Sequence, residues 1–246
     1  MARIISFSSG KGGTGKTVVV ANLGAAAARL GRMIAIIDAD MPMANLGLVL
    51  GLERPKITLH EVLAGEARIE KAVYPGPEGM DIVPSGMSLE MLQKVKLGAM
   101  EEVVNTLANG KDAVLIDCPS GLGRDAIFAI KASKEMVLVI TPDIAALSDA
   151  FRAKMIADRL GVYTLGVVVT RATDGKTDID VDEIESMLEV PVLGIIPEDA
   201  RLRKSATVGE PAVTTEPDSP SAKAFKELAR VIFLKKPEDK KEGKEN

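Results

Sequence analysis

Short apolar runs alternate along the chain with longer segments in which apolar residues recur every three to four positions. Continuous apolar runs are typical of strands buried on both faces, and the three-to-four spacing is typical of amphipathic helices. Their alternation predicts an α/β fold with a doubly wound, mostly parallel β-sheet flanked by helices. The predicted strands are 3–8, 33–38, 80–84, 112–117, 136–141, 166–170 and 192–196. The predicted helices are 17–30, 59–64, 89–95, 100–108, 123–132, 144–160, 180–188, 201–208 and 219–234.

The interior formed by these elements is expected to be aliphatic. Hydrophobic residues make up 46% of the 246 residues, and aromatic residues make up only 3%. No linker divides the pattern into two cores, so we expect one domain over residues 1–234. Residues 235–246 are charged and poor in hydrophobic side chains, which predicts a disordered tail.

The charge balance and the cysteine count limit the partners and the cellular compartment that are expected for this protein. The formal net charge is −4, which disfavours DNA as a partner. The one cysteine, Cys118, excludes an intrachain disulfide and suits a reducing compartment. No apolar run reaches the roughly 18 residues of a membrane-spanning helix. We therefore expect a cytoplasmic protein, and peripheral contact with the inner face of the cell membrane stays open.

A glycine-rich stretch, here named the phosphate loop, joins the first predicted strand to the first predicted helix. It has the spacing G-x-x-x-x-G-K-[ST], in which curled backbone N–H groups and the positive end of the helix bind phosphate. Lys16 is expected to reach the β- and γ-phosphates, and the Thr17 hydroxyl to bind Mg²⁺. The stretch reads Gly10, Lys11, Gly12, Gly13, Thr14, Gly15, Lys16 and Thr17.

Lys11 stands inside the phosphate loop, directly after its first glycine. A cation at this position could contact the nucleotide of its own chain or that of a facing subunit, or it could be solvated. With Lys11, the loop matches K-G-G-x-G-K-[TS] and resembles the deviant Walker A ATPases, the family that includes MinD, ParA and the nitrogenase iron protein. The resemblance covers about residues 2–234 and is nearest to the MinD members.

The resemblance implies a P-loop NTPase that hydrolyses ATP slowly with Mg²⁺ and forms an ATP-dependent homodimer. In such a dimer Lys11 would reach across to the other chain's phosphates, and Asp143 and Asp149 would lie on the dimer face. Helix N-terminal chemistry explains these two acids equally well. The implied role is spatial regulation, such as placement of the division site, with an unidentified protein activator or cargo.

Three acidic residues end predicted strands, where open α/β sheets bind ligands. Asp38 and Asp40 follow the second strand, and Asp117 closes the apolar run 114–116. A carboxylate at the position of Asp117 suits Mg²⁺ binding. The resemblance implies that Asp40 orients the attacking water and that Asp38 lies near the Mg²⁺. An N-cap or a surface position is the alternative for either of the first two acids.

The resemblance also implies a binding site for the adenine. Arg171 would contact the base, and the motif Pro197-Glu198-Asp199 would close its other side. Thr170 replaces the family's asparagine next to Arg171, and a hydroxyl reaches less far than an amide. Val18 replaces a hydroxyl residue that meets the α-phosphate, and losing such a hydrogen bond costs about 1.5–3 kcal/mol.

The predicted last helix is amphipathic, with Phe225, Leu228, Val231 and Ile232 on one stripe. MinD relatives end in a membrane-targeting helix, but a helix packed on the sheet explains the stripe better. Two other functions stay open beside the ATPase switch. One is a ParA-like DNA partition ATPase, and the other is a nucleotide-binding scaffold that hardly hydrolyses.

Overall fold

A computed structural model of the chain describes residues 2–52, 54–86, 88–173 and 179–234. Within these ranges, eight strands form one sheet in the order β3-β4-β2-β5-β1-β6-β7-β8, and every neighbouring pair is parallel except β3–β4. The chain adds β2 to β5 on one side of β1 and then β6 to β8 on the other side, which makes the sheet doubly wound. The strands are β1 (Arg3–Ser8), β2 (Ile34–Asp38), β3 (Tyr74–Pro75), β4 (Asp81–Val83), β5 (Ala113–Asp117), β6 (Glu135–Ile140), β7 (Tyr163–Ala172) and β8 (Val192–Pro197).

Helices cover both faces of the sheet. Three short 3₁₀ segments, Ile69–Ala72, Pro77–Gly79 and Leu97–Ala99, complete the connections. The α-helices are α1 (Lys16–Arg29), α2 (Leu46–Val49), α3 (Leu59–Ala64), α4 (Leu89–Lys94), α5 (Met100–Leu107), α6 (Arg124–Lys131), α7 (Ile144–Arg159), α8 (Val181–Leu188), α9 (Ala200–Val208), α10 (Ala212–Thr215) and α11 (Pro220–Phe233).

Alternate residues of each strand enter different hydrophobic cores. On β1, Ile5 and Phe7 belong to the core beneath α1 and α11, whereas Ile4 belongs to the core on the opposite face, beneath α3 and α5–α8. Burial on both sides explains why the central strands read as continuous apolar runs. The α/β fold predicted from the sequence is confirmed.

The register aligns the carboxyl ends of the three central strands. Phe7 of β1 and Asp38 of β2 both lie beside Asp117 of β5. Because parallel strands end at the same edge of the sheet, the phosphate loop and the predicted acids meet there.

Every predicted helix and strand is present, with ends within a few residues of those predicted, but one strand, two α-helices and the three 3₁₀ segments were missed. Strand β3 has two residues and includes Pro75, so it carries no alternating pattern. Helices α2 and α10 each have four residues, too few to show a helical period.

Helix α11 packs on the fold through the stripe that the sequence singled out. Phe225, Leu228 and Ile232 are buried in the core with α1 and β8. Arg3 donates from Nη1 to the carbonyl of Ile232 at 2.5 Å and so ties down the last turn. These three residues of the stripe are therefore covered by protein, and Val231 is partly exposed. No helix within the described ranges is long and apolar enough to cross a bilayer, and the predicted tail 235–246 lies outside them.

Candidate functional site

The phosphate loop leaves β1 at Ser8 and enters α1 at Lys16. Gly13 and Gly15 have φ angles of 81° and 80°, in the left-handed region that favours glycine. These two residues turn the chain so that α1 begins directly under the loop. The N-terminus of a helix presents unpaired N–H groups and a partial positive charge, which suits an anion.

Lys16 is the first residue of α1, and its side chain turns inward. Its Nζ lies 3.0 Å from Oδ1 of Asp117, and the two side chains are 5% and 1% exposed. Burial lowers the pKa of Lys16, but the charge of Asp117 and the hydrogen bond outweigh that effect and leave the pKa above its ordinary value. Lys16 is therefore a fixed positive charge at the base of the loop.

Asp38 organises the segment that follows β2. Its buried carboxylate accepts hydrogen bonds from the backbone N–H groups of Asp40 at 3.1 Å and Leu46 at 3.2 Å. Burial and then repulsion by Asp117 raise the pKa of Asp38 well above its ordinary value. These bonds hold residues 39–46 against the sheet and leave Asp40 facing the phosphate loop.

A cavity of about 580 Å³ lies over the phosphate loop. Asp40 is on its wall, where burial raises the pKa of this carboxyl although the charge of Lys16 opposes the effect. Asp38 and Asp117 are buried and do not line the cavity. The lining residues include Gly12, Gly13, Thr14, Gly15, Lys16, Thr17, Val18, Asp40, Asn45, Ser120 and Asp125.

A second cavity, of about 250 Å³ and here named the base slot, opens beside the start of α1. Its walls are mostly apolar, which suits a planar ring. Arg171 and the predicted motif Pro197-Glu198-Asp199 all lie on it. Its lining residues include Thr14, Gly15, Val18, Val19, Thr170, Arg171, Ile196, Pro197, Glu198, Asp199, Leu202, Arg203, Ala206 and Phe225.

Thr14 joins the two cavities and lines both of them. Its side chain is buried, and its hydroxyl has no hydrogen-bond partner in the structure. Buried hydroxyl groups are normally paired, so an unpaired one at this junction fits a site shaped for a polar ligand.

Lys11 lies at the other end of the phosphate loop, away from both cavities. Its Nζ contacts both carboxylate oxygens of Asp143 at 2.9 Å within the same chain. Asp143 is the N-cap of α7 and also accepts from the N–H of Ala146. Lys11 and Asp143 therefore pair within one chain.

Gly10 packs directly against α7. A Cβ added at Gly10 would lie 2.2 Å from the Cβ of Asp149 and 2.4 Å from its backbone carbonyl atoms. Only a glycine fits this close approach, which brings the outer end of the phosphate loop against α7. Gly10 and Lys11 therefore connect the loop to one helix through contact and charge.

Known proteins match this sequence and this fold. The profile of the ParA family, described as an NUBPL iron-transfer P-loop NTPase, matches residues 1–233. The chain belongs to the ParA family of P-loop NTPases.

Individual relatives of this ParA-family chain match over most of their length. An uncharacterised ATP-binding protein of Methanocaldococcus jannaschii is 43% identical over 233 residues, covering 95% of this chain and 88% of that protein. The cell division ATPase MinD of Pyrococcus furiosus is 42% identical with a TM-score of 0.90, covering 94% of this chain and 98% of that one. The septum site-determining protein MinD of Pyrococcus horikoshii, solved with Mg-ADP, is 40% identical with a TM-score of 0.90, covering 95% and 97%.

Several residues on the walls of this ParA-family site were not singled out from the sequence. Asn45 and Asp125 line the cavity over the loop, and Leu202, Arg203 and Ala206 line the base slot. Leu202 and Ala206 stand four residues apart on α9, a spacing that puts them on one helix face. That spacing indicates a shared face, but it does not indicate what the face covers.

Proposed function

We propose that this chain is a Mg²⁺-dependent ATPase that hydrolyses ATP slowly and uses ATP to pair two copies of itself. The observation that carries the proposal is the cavity over the phosphate loop, where the start of α1, Lys16, Thr17 and Asp40 converge. The solved MinD of P. horikoshii, which shares this fold at 40% identity, was crystallised with Mg-ADP.

The residues of the cavity suit a triphosphate and its metal. The loop N–H groups and Lys16 would hold phosphate oxygens, while the apolar base slot would take the adenine beside Arg171. Thr17 would offer a hydroxyl to the metal, and the buried carboxylates of Asp38 and Asp117 would act on it through its bound waters. When bound, Mg²⁺ neutralises charge on the phosphate oxygens. Among the described residues, no group of three or more His, Cys, Asp or Glu side chains is placed to hold a metal ion.

Catalysis in this proposal rests on positioning and charge. Asp40 would orient the attacking water from the wall of the cavity, and Lys16 and Lys11 would stabilise negative charge on the phosphates. Asp38 fixes the backbone of Asp40 through a 3.1 Å hydrogen bond, so it positions the residue that orients water.

The pairing of two chains depends on Lys11. In one chain it contacts Asp143, and the two side chains are 35% and 44% exposed. An ion pair this exposed is worth only about 0–1 kcal/mol, so Lys11 can exchange partners when a second chain presents an ATP phosphate. We infer that ATP in the cavity provides that new partner, with Asp143 and Asp149 on the face between the copies.

The biological role that we propose is spatial regulation, such as placement of a division site, through an activator or cargo protein. Its basis is the likeness to the cell division MinD proteins of the two Pyrococcus species. We place the protein in the cytoplasm. Peripheral membrane contact, if present, would use a surface other than the buried stripe of α11.

Iron transfer, which the family description names, has no support in the side chains of this chain. Cys118 is its sole cysteine, and the thiol is buried. Burial raises the pKa of this thiol, so the thiolate that binds iron is disfavoured.

Light scattering with ATP, with ADP and without nucleotide tests the pairing. A dimer with ATP alone is expected, and a constant monomer would remove the switch.

Phosphate release tests hydrolysis. Asp40→Ala is expected to reduce the rate about 100-fold, as loss of a group that positions a reactant does. Asp182→Ala, an exposed acid on α8, should leave it unchanged. Equal background rates in wild type and Asp40→Ala would leave a nucleotide-binding scaffold, and ATP-dependent DNA retardation would favour a partition ATPase.

A further inference from the structure

The polar side chains that line the base slot are Thr14, Thr170, Arg171, Glu198, Asp199 and Arg203. Its walls are formed largely by Val18, Ile196, Leu202, Ala206 and other apolar residues. Among the described residues that line it, none is an asparagine or glutamine. An amide can donate and accept at once and so can pair with the N6 donor and the N7 acceptor on one edge of adenine. Discrimination between purines therefore depends on other groups.

The hydroxyl of Thr170 already donates a hydrogen bond within the protein. Its side chain is buried, and its hydroxyl donates to the carbonyl of Thr14 at 2.7 Å, with the carbonyl of Ile140 at 3.0 Å. A hydroxyl has one hydrogen, and both neighbours are acceptors, so no proton is left for a ligand. Thr170 thus braces the phosphate loop against β6 and has no proton to donate to the base.

The carboxylate of Asp199 also accepts hydrogen bonds within the protein. One carboxylate oxygen accepts from the backbone N–H of Arg201 at 2.9 Å, and the other accepts from the hydroxyl of Ser221 at 2.9 Å. Its side chain is only 6% exposed. Asp199 therefore caps α9 and ties it to α11.

Glu198 is the acidic side chain of the slot that stays available. Its carboxylate is 37% exposed and lies 3.5 Å from Nη1 of Arg203, which is 75% exposed. An ion pair with side chains this exposed and atoms this far apart restrains both groups only weakly. The two side chains offer a carboxylate acceptor and a guanidinium donor side by side at the mouth of the slot.

This combination matches guanine at least as well as adenine. A carboxylate accepts hydrogen bonds only, and guanine offers it N1–H and the N2 amino group, whereas adenine offers only the N6 amino group. A guanidinium donates to guanine O6 and N7, the commonest specific contact of arginine with a base.

We propose that the base slot accepts guanine nucleotides as well as adenine nucleotides, with Glu198 as the residue that sets the selectivity. The substrate class of the chain is then purine nucleoside triphosphates. This inference rests on the proposed function, since it concerns the base of the same nucleotide. It gives Glu198 a role in choosing the base, beyond closing one side of an adenine.

Titration calorimetry with Mg·ADP, Mg·GDP and Mg·CDP tests the proposal without turnover. We expect dissociation constants for ADP and GDP within tenfold of each other, and weaker binding of CDP. A preference for ADP of more than tenfold would overturn the inference and leave the ATPase proposal standing. No binding of any nucleotide would instead overturn the ATPase proposal.

The variant Glu198→Gln tests the assigned residue. A glutamine keeps the size of the side chain but replaces one acceptor with an N–H₂ donor, which opposes the N2 amino group of guanine. Loss of a hydrogen bond to a charged group predicts GDP binding about tenfold weaker. ADP binding should stay within twofold or improve, because an amide pairs well with adenine.

A matched control separates selectivity from folding. Glu101→Gln makes the same chemical change at an exposed position of α5, and it should leave binding of both nucleotides unchanged. Equal weakening of ADP and GDP in Glu198→Gln would overturn the selectivity role, because a purely structural residue would affect both bases alike.

Discussion

The two lysines of the phosphate loop lie five positions apart, and each pairs with a carboxylate at nearly the same distance. Lys16 lies 3.0 Å from Asp117, and Lys11 lies 2.9 Å from Asp143. The first pair is almost completely buried, whereas the side chains of the second are 35% and 44% exposed. The two ion pairs therefore have similar distances but very different exposure to water.

The difference separates a fixed charge from an exchangeable one. Removing one partner of a buried pair leaves an uncompensated charge in a medium of low dielectric, which costs several kcal/mol. Breaking an exposed pair costs little, because water and salt replace the partner. The inner end of the loop is thus suited to hold phosphate in place, and the outer end is suited to change partners.

The largest effect is expected at the inner lysine. Lys16→Met leaves the carboxylate of Asp117 buried and unpaired, so the free energy of unfolding should fall by about 3–5 kcal/mol. Urea denaturation measures this change. The double variant Lys16→Met with Asp117→Asn removes the orphaned charge and should recover most of the loss. A single variant as stable as the wild type would show that the pair is not buried in solution.

The next effect is expected where the loop meets α7. Gly10→Ala places a Cβ against the backbone of Asp149, which cannot move aside as a flexible side-chain end can. Such overpacking costs about 1–3 kcal/mol of unfolding free energy. The control is Gly12→Ala in the same loop, whose Cβ would lie 3.8 Å from Ser120 and should cost less. Equal stability of both variants would contradict the close contact between the loop and α7.

The outer lysine should matter for pairing and hardly at all for stability. Lys11→Ala removes one exposed ion pair, so the free energy of unfolding should change by less than about 1 kcal/mol. Light scattering should nevertheless detect no dimer with ATP. Lys154→Ala, which removes the ion pair with Asp158 on α7, is the control and should retain the dimer. A Lys11→Ala protein that still pairs with ATP would refute the assigned role.

The smallest effect concerns the pH dependence of the outer pair. Burial alone would raise the pKa of Asp143, but hydrogen bonds from Thr141 and Lys11 lower it to about 2 from 3.8. A lowered pKa stabilises the fold above the ordinary value, and this contribution is lost as the pH falls from about 4 towards 2.

The variant Asp143→Asn keeps an N-cap residue but removes the charge. Its difference in unfolding free energy from wild type should stay below about 1 kcal/mol, because the pair is partly exposed. Urea denaturation at several pH values should show that difference shrinking below pH 4. A difference that grows as the pH falls would contradict the assigned pair.

The sequence was sufficient for the fold and for the meeting of the phosphate loop with the acids at one edge of the sheet. The apolar runs and the loop spacing are local patterns, so they predicted the strand before the loop and the acids that follow the central strands. The sequence did not reveal which side chains contact one another in the site. Lys16 and Asp117 are 101 positions apart, and their contact depends on the register of β1 with β5. The engagement of Thr170 with the carbonyl of Thr14 likewise depends on how the loop curls, which a residue type does not reveal.

The most direct test of the contrast between the two lysines is calorimetric titration of Mg·ADP into three proteins. The wild type should release heat on binding, Lys11→Ala should bind with a similar dissociation constant, and Lys16→Met should show no binding. Binding by Lys16→Met that equals the wild type, or no binding by the wild type, would contradict a phosphate site built on the inner lysine.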